Sequence, residues 1–137
     1  MRVALTGTPG TGKTTVAKRL DDCAVVHLNE VIEREGFWTE RDAKRESLVA
    51  DLDAVAAWLD DREGDPLLVE SHLAHLVPAD RVVVLRCHPE ELTRRLRERG
   101  EPEPTAAENA ESEALDVVLS EAVERHGPDA VYEVDTT

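Results

Sequence analysis

The sequence has few cysteines and no long apolar run. Two of its 137 residues are cysteines, Cys23 and Cys87, and their spacing fits neither a disulfide framework nor a metal site. No apolar run approaches the roughly 18 to 20 residues of a membrane span. A strand pattern begins at residue 2, which leaves no room for a signal peptide. These absences predict a cytoplasmic protein that keeps its thiols reduced and does not enter a membrane.

Lysine is also scarce. The chain has three lysines among its 16 basic residues, against 30 acidic residues, which gives a net charge of -14. This balance argues against strong nucleic-acid binding, which depends on neutralising phosphates. An acidic surface with few lysines suits concentrated salt, where charge repulsion is screened within about 3 Å at 1 M. The composition therefore favours a halophilic source, and an acidic mesophilic protein is the alternative.

Short apolar runs alternate with helical patterns along the chain. The predicted strands are Arg2–Thr6, Ala24–His27, Leu67–Glu70, Val82–Leu85 and Ala130–Val134. Apolar residues at helical spacing predict helices in Lys13–Leu20, Leu28–Glu35, Thr39–Asp61, Pro89–Arg99 and Ala106–Arg125. Such alternation forms βαβ units. We therefore predict one α/β domain over residues 1–137, with a doubly wound, parallel five-stranded sheet and helices on both faces.

A glycine-rich motif follows the first predicted strand. Residues 7–14 read GTPGTGKT and match the phosphate-binding loop G-x-x-x-x-G-K-[ST]. In this loop the glycines let backbone N–H groups surround an anion, and the following helix adds its positive dipole. Lys13 would reach the β- and γ-phosphates, Thr14 would bind Mg²⁺, and Thr15 would contact the α-phosphate. The motif predicts a P-loop NTPase fold and a site for a nucleoside triphosphate with Mg²⁺.

A second polar cluster, Glu70-Ser71-His72, ends the third predicted strand. An acidic residue at this edge of a parallel sheet can orient the Mg²⁺ shell, usually through water. His72 could shuttle a proton or position a water molecule. The alternatives are a solvated carboxylate for Glu70 and a partly buried structural histidine for His72. We expect His75, one turn later, to be structural.

Two arginines, Arg95 and Arg99, lie four residues apart just before the polar break GEPEP at 100–104. Phosphoryl transfer spreads negative charge over the transferred oxygens, so nearby cations stabilise the transition state. Arginines that flank a mobile segment can supply this charge when the segment closes. A solvated salt-bridge face is the alternative, and we expect it for Arg94 and Arg97.

Together these motifs resemble the archaeal and nuclear branch of adenylate kinases, which includes the coilin-interacting nuclear ATPase protein of animals. The matching segments are GTPGTGKTT (7–15), VESHLAHLVP (69–78), VVVLRCHPEELTRRLRERG (82–100) and ENAESE (108–113). Three positions differ from the family pattern: Glu70 stands where Asp is frequent, Glu101 where an aromatic is usual, and Thr105 where Lys is frequent. Relatives are also expected to continue beyond Val-Asp-Thr-Thr through a base-contacting loop and a closing helix.

The resemblance implies a P-loop kinase fold, reversible transfer between ATP and AMP, and a slow ATPase activity. It implies a role in small ribosomal subunit maturation, in complex with a small-subunit ribosomal protein, and an acidic chain suits a basic partner. It assigns AMP binding to about 29–53 and a lid to about 100–110. By motif, the ATP contacts fall on Gly10, Gly12, Lys13, Thr14, Thr15 and Arg99, the metal-site residues on Thr14 and Glu70, and the catalytic roles on Lys13, His72, Arg95 and Arg99.

Two other functions fit the same motifs. In the first, the protein is an ATP-driven switch for ribosome assembly, and kinase turnover is incidental. In the second, it is a kinase for another nucleoside monophosphate. Dependence of turnover on AMP, rather than on CMP or UMP, separates these functions from an adenylate kinase.

The acidic surface leads to a test of salt dependence. Because the net charge of -14 is unscreened at low ionic strength, we expect the protein to lose its fold on dialysis from molar KCl to low salt. Circular dichroism during stepwise dialysis measures this loss. Full stability at low salt would instead indicate an acidic mesophilic protein.

Overall fold

The computed structural model describes residues 1–20, 22–42, 47–62, 64 and 66–137. The strands are β1 (Arg2–Gly7), β2 (Ala24–His27), β3 (Trp38–Asp42), β4 (Ser47–Ala50), β5 (Leu67–Glu70), β6 (Arg81–Arg86) and β7 (Val131–Asp135). The helices are α1 (Lys13–Lys18), α2 (Leu28–Glu35), α3 (Leu52–Asp60), α4 (Pro89–Glu98), α5 (Glu103–Ala114) and α6 (Val117–His126). Within these residues no helix is long and apolar enough to cross a bilayer.

Five strands form one sheet in the order β2-β5-β1-β6-β7. All four neighbouring pairs are parallel, and β1 pairs with β5 on one side and with β6 on the other. The carboxyl ends of all five strands therefore lie at one edge. The strand order reverses around β1, and ligands of open α/β sheets bind at such a switch point. The predicted five-stranded parallel sheet is confirmed.

Alternate residues of the central strands face opposite sides of the sheet. Ala4 packs on the side of α2, α3 and α6, whereas Leu5 packs on the side of α1. Val69 and Leu68 of β5 divide between the two sides in the same way. Both faces are thus covered by helices, as a doubly wound sheet requires. A smaller apolar cluster joins α4 to α5 through Cys87, Leu92, Leu96 and Ala106.

The helical prediction for Thr39–Asp61 is wrong over its first part. Residues 38–42 and 47–50 instead pair as an antiparallel hairpin, β3–β4. The helix begins only at Leu52, because Asp51 caps it: the Asp51 carboxylate accepts a hydrogen bond from the Ala54 N–H at 3.2 Å. Residues 43–46, which the prediction also included, lie outside the described residues.

The single predicted helix over Ala106–Arg125 is also wrong. Helix α5 already begins at Glu103, and a break at residues 115–116 separates it from α6. At the break, Asp116 adopts a left-handed conformation with φ 55°, which is uncommon for a residue other than glycine. Arg86 accounts for it by donating a hydrogen bond to the Asp116 carboxylate at 2.5 Å. The polar break predicted at 100–104 is also shorter than expected. It is only about three residues long, because α5 already starts at Glu103.

A buried carboxylate, Glu113, joins three parts of the fold. It is 3% exposed and accepts hydrogen bonds from the Thr8 hydroxyl at 2.9 Å, the Arg86 Nε at 3.1 Å and the Cys87 N–H at 2.8 Å. Thr8 belongs to the loop after β1, Arg86 is the last residue of β6, and Cys87 follows that strand. Glu113 therefore connects α5 to both central strands at the edge of the sheet where they end.

Removing this carboxylate should destabilise the fold. We expect Glu113→Ala to lower the free energy of unfolding by about 2–4 kcal/mol, because two buried donors and the partly buried Arg86 lose their acceptor. Urea denaturation in molar KCl measures the change. The exposed neighbour Glu111 on the same helix provides the control, and Glu111→Ala should stay within about 0.5 kcal/mol of wild type. Equal effects of the two substitutions would contradict this role for Glu113.

Candidate functional site

The loop between β1 and α1 packs tightly against α4. Gly10 has φ 95°, and a Cβ added there would lie 2.8 Å from Cδ1 of Leu92. Gly12, at φ 98°, immediately precedes α1. Only glycine meets both demands, a left-handed backbone and a close approach to a neighbouring helix. The loop therefore holds a defined shape at the carboxyl end of the central strand.

Lys13 is buried inside this loop. Its side chain is folded so that Nζ donates to the carbonyl oxygens of Gly7 at 2.9 Å and Thr8 at 3.2 Å. Burial lowers the pKa of Lys13 to about 8, although the carboxylates of Glu70 and Glu113 oppose that shift. The ammonium group is thus partly stripped of water and held beside the loop, where an anion would stabilise its charge.

Glu70 lies at the end of β5, directly opposite His27 at the end of the neighbouring strand β2. The Glu70 side chain is 7% exposed, and its Oε2 lies 2.9 Å from Nδ1 of His27. The carboxylate is therefore held in place from the β2 side while it lines the same cavity as Lys13 and Thr14. Its partner His27 is a residue that our sequence analysis missed.

His72 lies beside the loop in a cationic, partly buried environment. Burial, together with the nearby Lys13 and His75, lowers the pKa of His72 to about 4. The ring is consequently neutral at physiological pH. Its Nδ1 lies 3.4 Å from Nδ2 of Asn29, in the first turn of α2. Asn29 was expected only as the first residue of the AMP region, and its place beside His72 could have been found by the argument used for Glu70, because it is a polar residue just after a parallel strand.

His75 belongs to the core rather than to this site. It is 1% exposed, and its Nδ1 lies 2.7 Å from the hydroxyl of Thr6 on β1. Its Nε2 lies 3.2 Å from a carboxylate oxygen of Glu121 on α6. Burial lowers the pKa of His75, although the Glu121 carboxylate, which can accept a hydrogen bond from Nε2, opposes that shift. His75 thus joins α6 to the central strand, in line with the structural role expected for it.

The two predicted arginines differ in their surroundings. The side chain of Arg95 is 26% exposed, and its guanidinium donates to the carbonyl oxygens of Gly10 at 3.5 Å and Thr136 at 2.5 Å. The side chain of Arg99 is 55% exposed and pairs with Glu101 at 3.2 Å. Arg95 is therefore held at the loop, and Arg99 lies at the solvent side of the site.

Arg94 and Arg97 lie on the exposed face of the same helix. Arg94 pairs with Glu91 and, at 2.6 Å, with Glu98, whereas Arg97 pairs with Glu103 at 2.8 Å. Both guanidinium groups are more than half exposed. This is the solvated salt-bridge face that we expected for these two residues.

One cavity of about 710 Å³ connects the loop after β1 with Glu70, His72, Arg95 and Arg99. Its lining includes every residue predicted for the site, namely Gly10, Gly12, Lys13, Thr14, Thr15, Glu70, His72, Arg95 and Arg99. It also includes Asn29, the first residue of the expected AMP region, and residues that sequence reasoning missed, among them Arg19 and Thr136. Thr136 reaches the cavity because β7 pairs with β6, a long-range contact that leaves no local signal in the sequence.

The cavity offers two oxygen donors, one hydroxyl and one carboxylate, that could help to hold a metal ion. Within the described part of the chain, no group of three or more His, Cys, Asp or Glu side chains is arranged to hold a metal ion. The Thr14 hydroxyl and the Glu70 carboxylate both line the cavity. Hydroxyl and carboxylate oxygens are ligands that Mg²⁺ accepts, and it usually completes its shell with water and substrate phosphates. The donor set therefore fits Mg²⁺.

A glycine-rich loop between the central strand and a helix, at the carboxyl edge of a parallel sheet, defines a P-loop nucleotide-binding protein. Residues 3–116 match the family model described as "AAA domain". The whole chain is 63% identical to a protein of Natronomonas pharaonis, of which it covers 81%, and 45% identical to one of Methanosarcina acetivorans, of which it covers 78%. Both are named "Putative adenylate kinase". The chain belongs to this archaeal family of P-loop kinases.

Solved structures confirm the fold. A shikimate kinase from Bacteroides thetaiotaomicron aligns over 99% of this chain and 86% of its own, with a TM-score of 0.58 and 23% identity. A deoxyadenosine kinase from M. mycoides with bound dATP aligns over 99% of this chain and 91% of its own, with a TM-score of 0.54 and 13% identity. At these identities the likeness establishes the P-loop kinase architecture alone.

The lowered pKa of Lys13 makes nucleotide affinity depend on pH. An anion binds the protonated ammonium better than the neutral amine, so affinity for ATP with Mg²⁺ should fall above pH 8, where free Lys13 loses its proton. The fall should approach about tenfold per pH unit. The phosphates of ATP are already ionised in this range. Calorimetry between pH 7 and 9.5 measures the affinity and should show proton uptake on binding above pH 8.

Two variants separate Lys13 from general charge effects. Lys13→Met should bind weakly at every pH, without the fall above pH 8. Lys18→Met, at an exposed lysine on the same helix, should keep the wild-type profile. A wild-type affinity that stays constant to pH 9.5 would contradict this account of the Lys13 charge.

Proposed function

We propose that this protein is an adenylate kinase that transfers the terminal phosphate of ATP to AMP. The observation that carries the proposal is the single cavity that joins the P-loop lysine, a strand-end carboxylate, a histidine and two arginines. Relatives that are 63% and 45% identical, both named "Putative adenylate kinase", support the same reaction. The groups needed to bind, neutralise and position a triphosphate all face one space.

The loop residues would bind the phosphates of ATP. Lys13 would exchange its carbonyl partners Gly7 and Thr8 for the β- and γ-phosphate oxygens. Thr14 and Glu70 would hold Mg²⁺, Glu70 through water, and the Thr15 hydroxyl would contact the α-phosphate. Held by these two residues, Mg²⁺ would supply positive charge against the charge that develops on the phosphates. Transfer is in line and direct, with no covalent enzyme intermediate.

Cationic stabilisation would come from Arg95 and Arg99. Arg95 already contacts the Gly10 carbonyl, so it needs little movement to reach the transferred phosphate. Arg99 lies next to Gly100, which has φ 82°, and would move inward with the proposed lid at about 100–110. The proposed lid includes the N-terminal half of α5, where the buried Ala106 packs with Leu96 and anchors the segment on α4.

The acceptor would bind on the β2 side of the sheet. The proposed AMP region, about 29–53, contains Asn29 in the cavity wall and the hairpin β3–β4. Residues 43–46 of this region lie outside the described residues. A nucleoside monophosphate in this position would place its phosphate towards the P-loop. A preference for AMP over other monophosphates is part of the proposal.

A slow ATPase activity and a role in assembly of the small ribosomal subunit remain predictions of the family resemblance. The net charge of -14 would steer the chain towards a basic ribosomal protein, and ATP would then bias the form that binds it. Membership of the coilin-interacting type and a cytoplasmic location also remain predictions.

A coupled assay in molar KCl tests the proposed reaction. We expect ADP formation from ATP and AMP, with CMP and UMP as poorer acceptors. Lys13→Ala should abolish turnover, and Arg95→Ala should lower kcat by roughly 100-fold, because it removes charge stabilisation of the transition state. Arg97→Ala, at an exposed arginine on the same helix, is the matched control and should leave kcat unchanged.

Each alternative function has its own outcome in this assay. Equal rates with all monophosphates would indicate a kinase for other acceptors. ATP hydrolysis that ignores AMP, together with nucleotide-dependent capture of a small-subunit ribosomal protein, would indicate the assembly switch. His72→Ala should impair ATP hydrolysis more than nucleotide binding. Undiminished turnover of Lys13→Ala would contradict the proposed site itself.

A further inference from the structure

A chain of hydrogen bonds runs behind His72 at the edge of the cavity. The Leu73 N–H donates to the Ser71 hydroxyl oxygen at 3.0 Å, and that hydroxyl donates to Oδ1 of Asn29 at 2.6 Å. The Asn29 amide nitrogen Nδ2 then lies 3.4 Å from Nδ1 of His72. The side chains of Asn29 in α2 and of Ser71 and His72, which follow β5, are thereby linked by hydrogen bonds. The first donor in this chain is the backbone N–H of Leu73.

The direction of this chain agrees with the orientation of the Asn29 amide in the structure. The Ser71 oxygen already accepts from the Leu73 N–H, so its own hydrogen is available for Oδ1 of Asn29. An amide whose oxygen is the acceptor presents its NH₂ group on the other side. In this site the NH₂ group faces Nδ1 of His72.

The Asn29 amide in turn selects one form of the imidazole ring. A ring nitrogen that faces an N–H donor must offer a lone pair, so Nδ1 of His72 carries no hydrogen. In a neutral imidazole the hydrogen then resides on the other nitrogen, Nε2. The same ring would present a lone pair at Nε2 if Nδ1 carried the hydrogen.

We propose that Asn29, oriented by Ser71, is a positioning residue that holds His72 as the Nε2–H tautomer, so that the ring donates a hydrogen bond instead of accepting a proton at Nε2. The tautomer itself follows from the hydrogen bonds. Its consequence rests on the proposed function: His72 donates to a phosphate or water oxygen in the cavity and is not the base that activates the acceptor. Of the two roles considered for His72, proton shuttle and positioning group, the hydrogen bonds select the second.

Nitrogen-15 NMR of the full chain tests the tautomer without any substrate. Long-range proton–nitrogen spectra distinguish the two neutral tautomers, and the spectrum of His72→Gln identifies the His72 signals. We expect wild-type His72 to show the Nε2–H pattern. Asn29→Asp replaces the donating NH₂ by a carboxylate oxygen, which accepts, and should convert His72 to the Nδ1–H pattern. Ser71→Ala frees the amide to turn and should give a mixture of the two patterns.

Two controls accompany these spectra. Asn109→Asp makes the same chemical change on α5, away from the cavity lining, and should leave His72 in the wild-type pattern. His75 is held on both ring nitrogens by Thr6 and Glu121, so its unchanged signals show that each variant is folded. If Asn29→Asp changes the His75 signals, its spectrum reports a disturbed fold, and the Ser71→Ala spectrum is used instead. A mixture of the two patterns in Ser71→Ala supports the role of Asn29, and an unchanged Nε2–H pattern contradicts it.

Kinetics then separate positioning from a general structural role. Asn29→Asp should lower kcat by about tenfold or more, because a ring in the wrong tautomer remains in place but cannot perform its role. The KM for ATP should stay within about twofold of wild type, since Asn29 makes no contact with the phosphate loop in the proposed complex. Equal losses in kcat and in ATP affinity would overturn the positioning role.

The spectra distinguish a failure of this inference from a failure of the proposed function. An Nδ1–H pattern in wild type, or a pattern that neither Asn29→Asp nor Ser71→Ala alters, overturns the role of Asn29 whatever the enzyme does. The expected patterns in a protein that fails to phosphorylate any nucleoside monophosphate would support the role of Asn29 and refute the kinase.

Discussion

The parallel pairing of β1 with β5 and β6 is the constraint on which the rest of the structure depends. Leu5 lies beside Glu70 in one pair and Gly7 beside Leu85 in the other. This register brings the phosphate-loop segment, the Glu70–His72 cluster and the entry to α4 to the same edge. A slip of one residue in either strand would turn its buried side chains to the opposite face, so the packing of the core also protects the geometry of the site.

The charge balance around Lys13 explains how an ammonium group can be buried at this edge of the sheet. Burial disfavours the ammonium form, whereas the carboxylates of Glu70 and Glu113 favour it. The loop carbonyls of Gly7 and Thr8 supply its hydrogen bonds. Glu113 also accepts a hydrogen bond from the Thr8 hydroxyl. The carboxylate that stabilises the charge of Lys13 therefore also holds the loop in place. Structure and electrostatics are therefore coupled through a residue outside the cavity lining.

Elements with a strong local signal were predictable from the sequence, and those defined by distant partners were not. Strands β2 and β5 match their predicted bounds because each is a short apolar run with clear ends. The β3–β4 hairpin was missed because Leu48 and Leu52 share the spacing of a helix, and the Asp51 cap between them decides the outcome. The P-loop residues lie in one motif, whereas Asn29 and Ser71 meet across 42 positions, which no local pattern reveals.

Arg95 and Arg99 show how residues with the same sequence signal acquire different surroundings. Both lie on one face of α4 and its cap, yet Arg95 is held by the carbonyls of Gly10 and Thr136, and Arg99 pairs with Glu101 at the surface. Arg95 would thus enter the proposed reaction with much of its side-chain entropy already lost, which lowers the cost of using it. An exposed ion pair such as that of Arg99 is worth little, so a phosphate oxygen could replace Glu101 at small cost. One arginine is therefore suited to preorganisation and the other to recruitment when the site closes.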